Sequence, residues 1–344
     1  MNRRVGFIEG IVLVAVICIA GPNDGYSKLI NDTAGSEETS DSQGNPPVET
    51  DVVREYYGTG AIKSETPYQK GKMSGKKKLF YENGNLQKEE KYVDGKREGA
   101  SIEYYEDGVL KNFETYSNDV LNGECYTQYP NSQKMMVGQC AGGKKNGKWT
   151  LFHQNGKKYM EGNYVDGVME GLWRSYSPEG WLDSEGEYKN GSQAGLWIYY
   201  DRDRRIDKKL TLKDGMIEGA CWIYTNGKLA GEGVMQGQTH DPVINGNWKA
   251  YFTNGRVEYE GAYTMGKKSG TFKEYYSNGN IKASGEYVND QRNGNWIFYY
   301  QDGKTIDTDK TGNYIMGKLN KLSSSLIRTQ QRQWNGFVSG QRVE

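Results

Sequence analysis

Ten glycines rule this chain: Gly75, Gly99, Gly123, Gly147, Gly171, Gly195, Gly219, Gly246, Gly270 and Gly294. Eight of their nine intervals are 24 residues, and the ninth, Gly219 to Gly246, is 27. A repeat of this size marks stacked supersecondary units that bury their apolar faces only against neighbours. Glycines also interrupt most windows long enough to host a helix. The ladder therefore predicts ten full units from Lys76 to Lys318 and a partial one at about Val52 to Gly75.

Each unit carries two turn signals. The first falls at its eighth and ninth positions, as in Asn83-Gly84, Asp107-Gly108, Asn155-Gly156, Asn254-Gly255, Asn278-Gly279 and Asp302-Gly303. Such pairs supply the two positive φ angles of a type I′ hairpin turn. The second follows a tyrosine, as in "YVDGKREG". Between turns lie five to seven residues of aromatic and β-branched character. Each unit thus reads as a β-hairpin, and the chain as an all-β, elongated, single-layer antiparallel sheet. About twenty strands at ~4.8 Å each would make an array on the order of 95 Å long.

Positions are counted from the residue after each ladder glycine. Position 5 is aromatic in nine of ten units, and position 2 is Trp149, Trp173, Trp197, Trp248, Phe272 or Trp296 in six. The two positions have opposite parity, so both faces of the sheet carry rings. A two-residue turn pairs position 2 with position 15 of its own unit. Trp149 then faces Gly162, Trp173 faces Gly186, Trp248 faces Gly261 and Phe272 faces Gly285, with each ring covering its cross-strand glycine. Lys77 faces Glu90 and Ser101 faces Glu114, while Trp197 with Leu210 and Trp296 with Asp309 depart from the pattern. A bulged register is the open alternative.

Cys125 and Cys140 take positions 2 and 17 of one unit, where Trp149 and Tyr164 sit in the next. As diagonal neighbours they are a candidate disulfide, the alternative being two small buried thiols. Cys221 has no evident partner.

The consensus GxWxxYxxNGxxxxxGxYxxGxxxG, cleanest over Gly147 to Gly171, resembles the variant MORN repeat of bacterial proteins labelled YwqK-family antitoxins. The resemblance covers about Val52 to Lys318 and implies an elongated sheet of hairpins. It further implies a scaffold, spacer or accessory module with no catalytic residues. An export signal sits awkwardly with an antitoxin for a cytosolic toxin.

Composition narrows function. The 344 residues are only 35% hydrophobic, but 27 are Tyr and 8 are Trp, so rings carry the apolar area. Mean hydropathy is -0.86. With 44 basic and 44 acidic residues there is no basic excess to displace counterions from nucleic acid or to hold an anionic membrane. Residues 1–20 read as a signal peptide, with Arg3 and Arg4 before the apolar run Ile11 to Ala20. An uncleaved anchor and acylation at Cys18 are the alternatives. Residues 21–51 read as a disordered tether, 52–318 as the array with an insertion near 237–246, and 319–344 as a C-terminal cap or tail. The expected location is exported: periplasmic, envelope-associated or extracellular.

No catalytic constellation, phosphate loop or metal spacing is present in the sequence, and no cofactor is expected. His153 precedes a turn and is expected to face water. His240 and Asp241, in the insertion, form a candidate functional loop. The candidate interaction surface is the aromatic ladder: Trp149, Trp173, Trp197, Trp248 and Trp296, with Tyr176, Tyr200, Tyr251, Tyr275 and Tyr299. If those rings are exposed they suit sugars, and if they pack on one another they are core. The leading expectation is an exported, non-catalytic module binding a protein partner. A glycan or cell-wall ligand, and an antitoxin-like partner, are the alternatives.

Overall fold

The computed structural model describes residues 29–32 and 50–321. The signal segment and residues 322–344 of the cap or tail lie outside the described residues. Twenty-five strands and no helix make up what is described, joined in one antiparallel succession in which strands adjacent in sequence are adjacent in space. No described helix is long and apolar enough to cross a membrane.

The central register follows from the hairpin pattern: Trp149↔Gly162, Trp173↔Gly186, Trp248↔Gly261, Phe272↔Gly285, Lys77↔Glu90 and Ser101↔Glu114 all pair. The turns that produce it are not the ones expected. At Tyr81–Asn85 only Gly84 has positive φ, +88°, while the Gly84 amide donates to the Tyr81 carbonyl at 2.9 Å. This is a three-residue loop with a glycine bulge, and a register shift between Leu79 and Phe80 absorbs the extra residue. The two positive φ angles belong instead to the turn after the tyrosine, as at Asp94 (50°) and Gly95 (87°). These turns stack: Gly167 donates its amide to the Lys145 carbonyl at 2.8 Å, and Gly191 to Met169 at 3.1 Å.

Three further places differ from expectation. The 237–246 insertion is not an irregular loop; it lengthens a hairpin into the strands Lys228–Gln238 and Asp241–Tyr251. Trp296 pairs with Gly312, not Asp309, because a turn at Asp307–Lys310 loops out three residues before the ladder resumes. Within the segment expected as tether, Leu29–Asp32 pairs with Asp51–Tyr56, so the first strand of the array has a partner on its outer side.

Packing on one face rests on a ring–glycine clamp between neighbouring units. A Cβ on Gly162 would come within 3.0 Å of three atoms of the Trp173 ring, not of Trp149. The same holds for Trp149 on Gly138, Trp197 on Gly186, Phe272 on Gly261 and Trp296 on Gly285, and Trp248 spans Gly231 and Gly233. The expectation that each ring covers its own unit's glycine is therefore corrected: it covers the glycine one strand earlier. A bulge makes this possible. Glu161 pairs with Arg174 and Asn163 with Glu170, so Gly171, Leu172 and Trp173 together oppose Gly162. Gly171 takes φ +69° there, a conformation open to glycine and costly for other residues. The indole N–H of Trp173 donates to the Asn163 carbonyl at 3.2 Å, and Trp296 donates to Glu286 at 2.8 Å, so burial leaves no orphan donor.

This assignment accounts for the sequence variation at nine of the ten boundaries, Thr66/Lys77 being the exception. At six boundaries a glycine is followed by a ring: Gly138/Trp149, Gly162/Trp173, Gly186/Trp197, Gly233/Trp248, Gly261/Phe272 and Gly285/Trp296. At three a larger residue is followed by a small one: Glu90/Ser101, Glu114/Cys125 and Leu210/Cys221. The Trp197–Leu210 departure vanishes, since Trp197 lies on Gly186.

Candidate interaction surface

The tryptophans of the ring face are buried. Trp173 is 0% exposed, Trp197 1% and Trp248 7%, and Trp149 and Trp296 are likewise buried. Tyrosines at position 17 meet them edge-on, with Tyr164–Trp173 centroids 5.2 Å apart and Tyr188–Trp197 5.4 Å. Cations cover the row: the Lys145 ammonium lies 4.6 Å from the Trp149 ring centre, and Arg292 4.9 Å from Trp296. The five tryptophans are thus core, and their place in the expected interaction surface is withdrawn. Burial lowers the Lys145 pKa from its ordinary range.

Position-5 tyrosines project to the opposite face, where Tyr176, Tyr200, Tyr251 and Tyr275 are half-buried and Tyr299 is buried. Each of the first four donates its hydroxyl to a glutamate of the preceding unit: Tyr176 to Glu161 at 2.7 Å, Tyr200 to Glu185 at 2.8 Å, Tyr251 to Glu232 at 2.5 Å and Tyr275 to Glu260 at 2.9 Å. Cations complete three of the groups, with Lys158 3.0 Å from Glu161, Arg174 3.0 Å from Glu185 and Lys249 3.5 Å from Glu260. This face is a repeated Tyr–Glu–cation array at fixed strand spacing.

The Tyr176 hydroxyl, then the Lys158 ammonium, draw the Glu161 carboxyl from its ordinary 4.5 down to about 2. Burial, and then the adjacent carboxylate, push the Tyr176 phenol up to about 12, so it stays a donor. A carboxylate held lower in the folded state stabilises fully above its unfolded value and loses that contribution as pH falls through the folded one. Tyr176→Phe is therefore expected to unfold more easily than the parent at about pH 6, with the gap closing as pH falls from about 5 towards 2. Urea unfolding at a series of pH values measures it, and a gap unchanged at pH 2 contradicts the assignment.

A second row of tyrosines repeats with the same period. Position-6 tyrosines reach the next unit's backbone: Tyr57 to the Phe80 carbonyl at 2.7 Å, Tyr81 to Tyr104 at 2.8 Å, Tyr105 to Gln128 at 2.9 Å, Tyr129 to Phe152 at 2.9 Å and Tyr276 to Tyr299 at 2.8 Å. His153 stands in this row. Its Nε2 lies 2.9 Å from the Tyr176 carbonyl and its ring 5.0 Å from that of Tyr159. It is partly buried and hydrogen-bonded, not turned to water. Turn asparagines add another row, Asn155 Nδ2 donating to the Pro178 carbonyl at 2.7 Å and Asn254 to Ser277 at 2.8 Å.

His240 and Asp241 are exposed at the tip of the lengthened hairpin, with Asp241 paired to Gln238. Neither belongs to a group of His, Cys, Asp or Glu placed to hold a metal among the described residues. Among the described residues, no three His, Cys, Asp or Glu side chains are placed to hold a metal. Cys125 and Cys140 are joined as a disulfide with Cα atoms 6.2 Å apart, and Cys221 is a buried free thiol.

Five segments, 73–94, 97–118, 145–166, 169–190 and 268–289, match the family described as MORN repeat variant. These units are variant MORN repeats. The matched segments follow the ruler of the glycine ladder, and the match attaches to the repeat, with no antitoxin assignment. No curated protein matches the chain significantly. Among solved structures, the crystal structure of TcdB2-TccC3-Cdc42 aligns at 11% identity and TM-score 0.18, over 76% of this chain and 18% of that one. TcdB2-TccC3 without its hypervariable C-terminal region aligns at 12% identity and TM-score 0.19, over 82% of this chain and 19% of that one. The chain spans less than a fifth of the length of those chains.

Proposed function

We propose that this MORN-repeat chain is an exported, non-catalytic scaffold that presents its Tyr–Glu–cation face to a protein partner. The division of labour between the two faces supports this reading. The aromatic face is consumed in holding the array together, while the other offers polar groups at a regular repeat, which suits an extended partner. The apolar run in residues 1–20 and the Cys125–Cys140 pair fit an oxidising, exported setting. The burial of the tryptophans weighs against sugar stacking on the rings. The test is crosslinking capture from the native envelope fraction, with the full chain and with a variant carrying Arg174→Glu and Lys249→Glu. A protein set captured by the parent and lost with the variant supports the reading. No protein captured above background, or equal capture by both, sinks it.

A further inference from the structure

The hairpin loops along one edge of the array hold their Asn-Gly pairs alike, with one exception. In the three-residue loops the asparagine side chain is fixed at both its nitrogen and its oxygen. Asn155 donates Nδ2 to the Pro178 carbonyl at 2.7 Å and accepts the Lys157 amide at 3.0 Å, while the Gly156 amide donates to the His153 carbonyl at 2.9 Å. Asn254-Gly255 and Asn278-Gly279 repeat these three bonds, and Asn83-Gly84 does so with the Glu106 carboxylate as the Nδ2 acceptor. The loop after Tyr224 is shorter. Thr225 pairs with Lys228, leaving a two-residue turn with φ 51° at Asn226 and 74° at Gly227. Lys228 takes over the contact to the next unit, donating to the Thr253 carbonyl at 3.1 Å. The Asn226 side chain and the Gly227 N–H find no hydrogen-bond partner among the described residues, and both residues are exposed.

An unrestrained Asn-Gly pair has a chemistry of its own. The glycine amide nitrogen, with no side chain to crowd its approach, attacks the asparagine Cγ. A C–N bond closes a succinimide ring, the Cγ–Nδ2 bond breaks, and the amide proton leaves with Nδ2 as ammonia. Water then adds to either imide carbonyl, breaks one C–N bond and leaves aspartate or isoaspartate. Ring closure needs both the side chain and the following peptide unit to rotate, so each hydrogen bond on either one slows it. We infer that Asn226-Gly227 is the principal site of spontaneous deamidation among the described residues, placing a new carboxylate on the turn edge. Asn190-Gly191, also in a two-residue turn, is restrained because the Gly191 amide donates to the Met169 carbonyl at 3.1 Å. Asn122, Asn146, Asn245 and Asn293 also precede glycines, but they lie inside strands, where pairing fixes the backbone.

The test is to incubate the full chain at mildly alkaline pH in water enriched in heavy oxygen, then to map labelled aspartate and isoaspartate by digestion and mass spectrometry. The label enters only residues hydrolysed through the succinimide during incubation. It is expected first at Asn226, at a rate at least about tenfold above that at Asn83, Asn155, Asn254 and Asn278, since those sites must first break two or three hydrogen bonds. In urea, where no fold restrains any pair, the rates at these five sites should converge. Equal rates in the folded chain overturn the assignment. So does a lead of Asn226 that persists undiminished in urea, or the absence of label at Asn226 after the urea-unfolded chain has reacted fully.

Discussion

Trp173→Ala is expected to cost about 3–5 kcal/mol of stability, the range for deleting a fully buried large aromatic side chain. The ring is 0% exposed and meets Tyr164 and Tyr188 edge-on, at 5.2 and 5.9 Å. Its removal also bares the Gly162 backbone and leaves the Asn163 carbonyl without the indole donor. In a stacked array each unit leans only on its neighbours, so the loss falls on the boundary between two units. Hydrogen exchange should therefore show lost protection concentrated on the strands Lys158–Val165 and Val168–Tyr176. Uniform loss across the array, or a cost under about 1 kcal/mol in denaturant unfolding, contradicts the clamp.

The second large effect lies where the clamp is missing. At Glu114/Cys125 no ring sits on a glycine. The disulfide to Cys140, 15 residues on, ties that hairpin across its two strands. A loop of this length is worth about 3 kcal/mol by chain entropy, within a usual range of about 2–4. The double variant Cys125→Ser, Cys140→Ser should lose about that much. Reductant should destabilise the parent by a similar amount and leave the variant unmoved, since Cys221 is a buried, unpaired thiol. A parent indifferent to reductant contradicts the contribution assigned to the bridge.

The fold was legible because a strict period fixes the pairing of strand centres whatever the turns do. Trp149 faces Gly162 in either turn geometry, because the glycine bulge adds its residue only near the loop. What could not be read was the direction in which a large ring leans. Cross-strand pairing names two neighbours for Trp173, Gly186 on one side and Gly162 on the other, and only the bulge at Gly171 tips the indole towards the second. The variation between units held the answer, since Glu90/Ser101 and Leu210/Cys221 follow the boundary between units and not the hairpin within one. Lys273 is ordinary in sequence, and its place between Glu260 and Ser284 emerges only from the register.

The central claim, that each ring clamps the glycine of the preceding strand, is tested most directly by a double-mutant cycle at Gly162. Gly162→Ala alone should destabilise by about 1–3 kcal/mol through overpacking against the Trp173 ring. With Trp173→Ser, which recreates the larger-residue and small-residue combination found at Glu90/Ser101, the alanine should cost almost nothing further. With Trp149→Ser the two costs should simply add. Coupling of Gly162 to Trp149 in place of Trp173 would contradict the account.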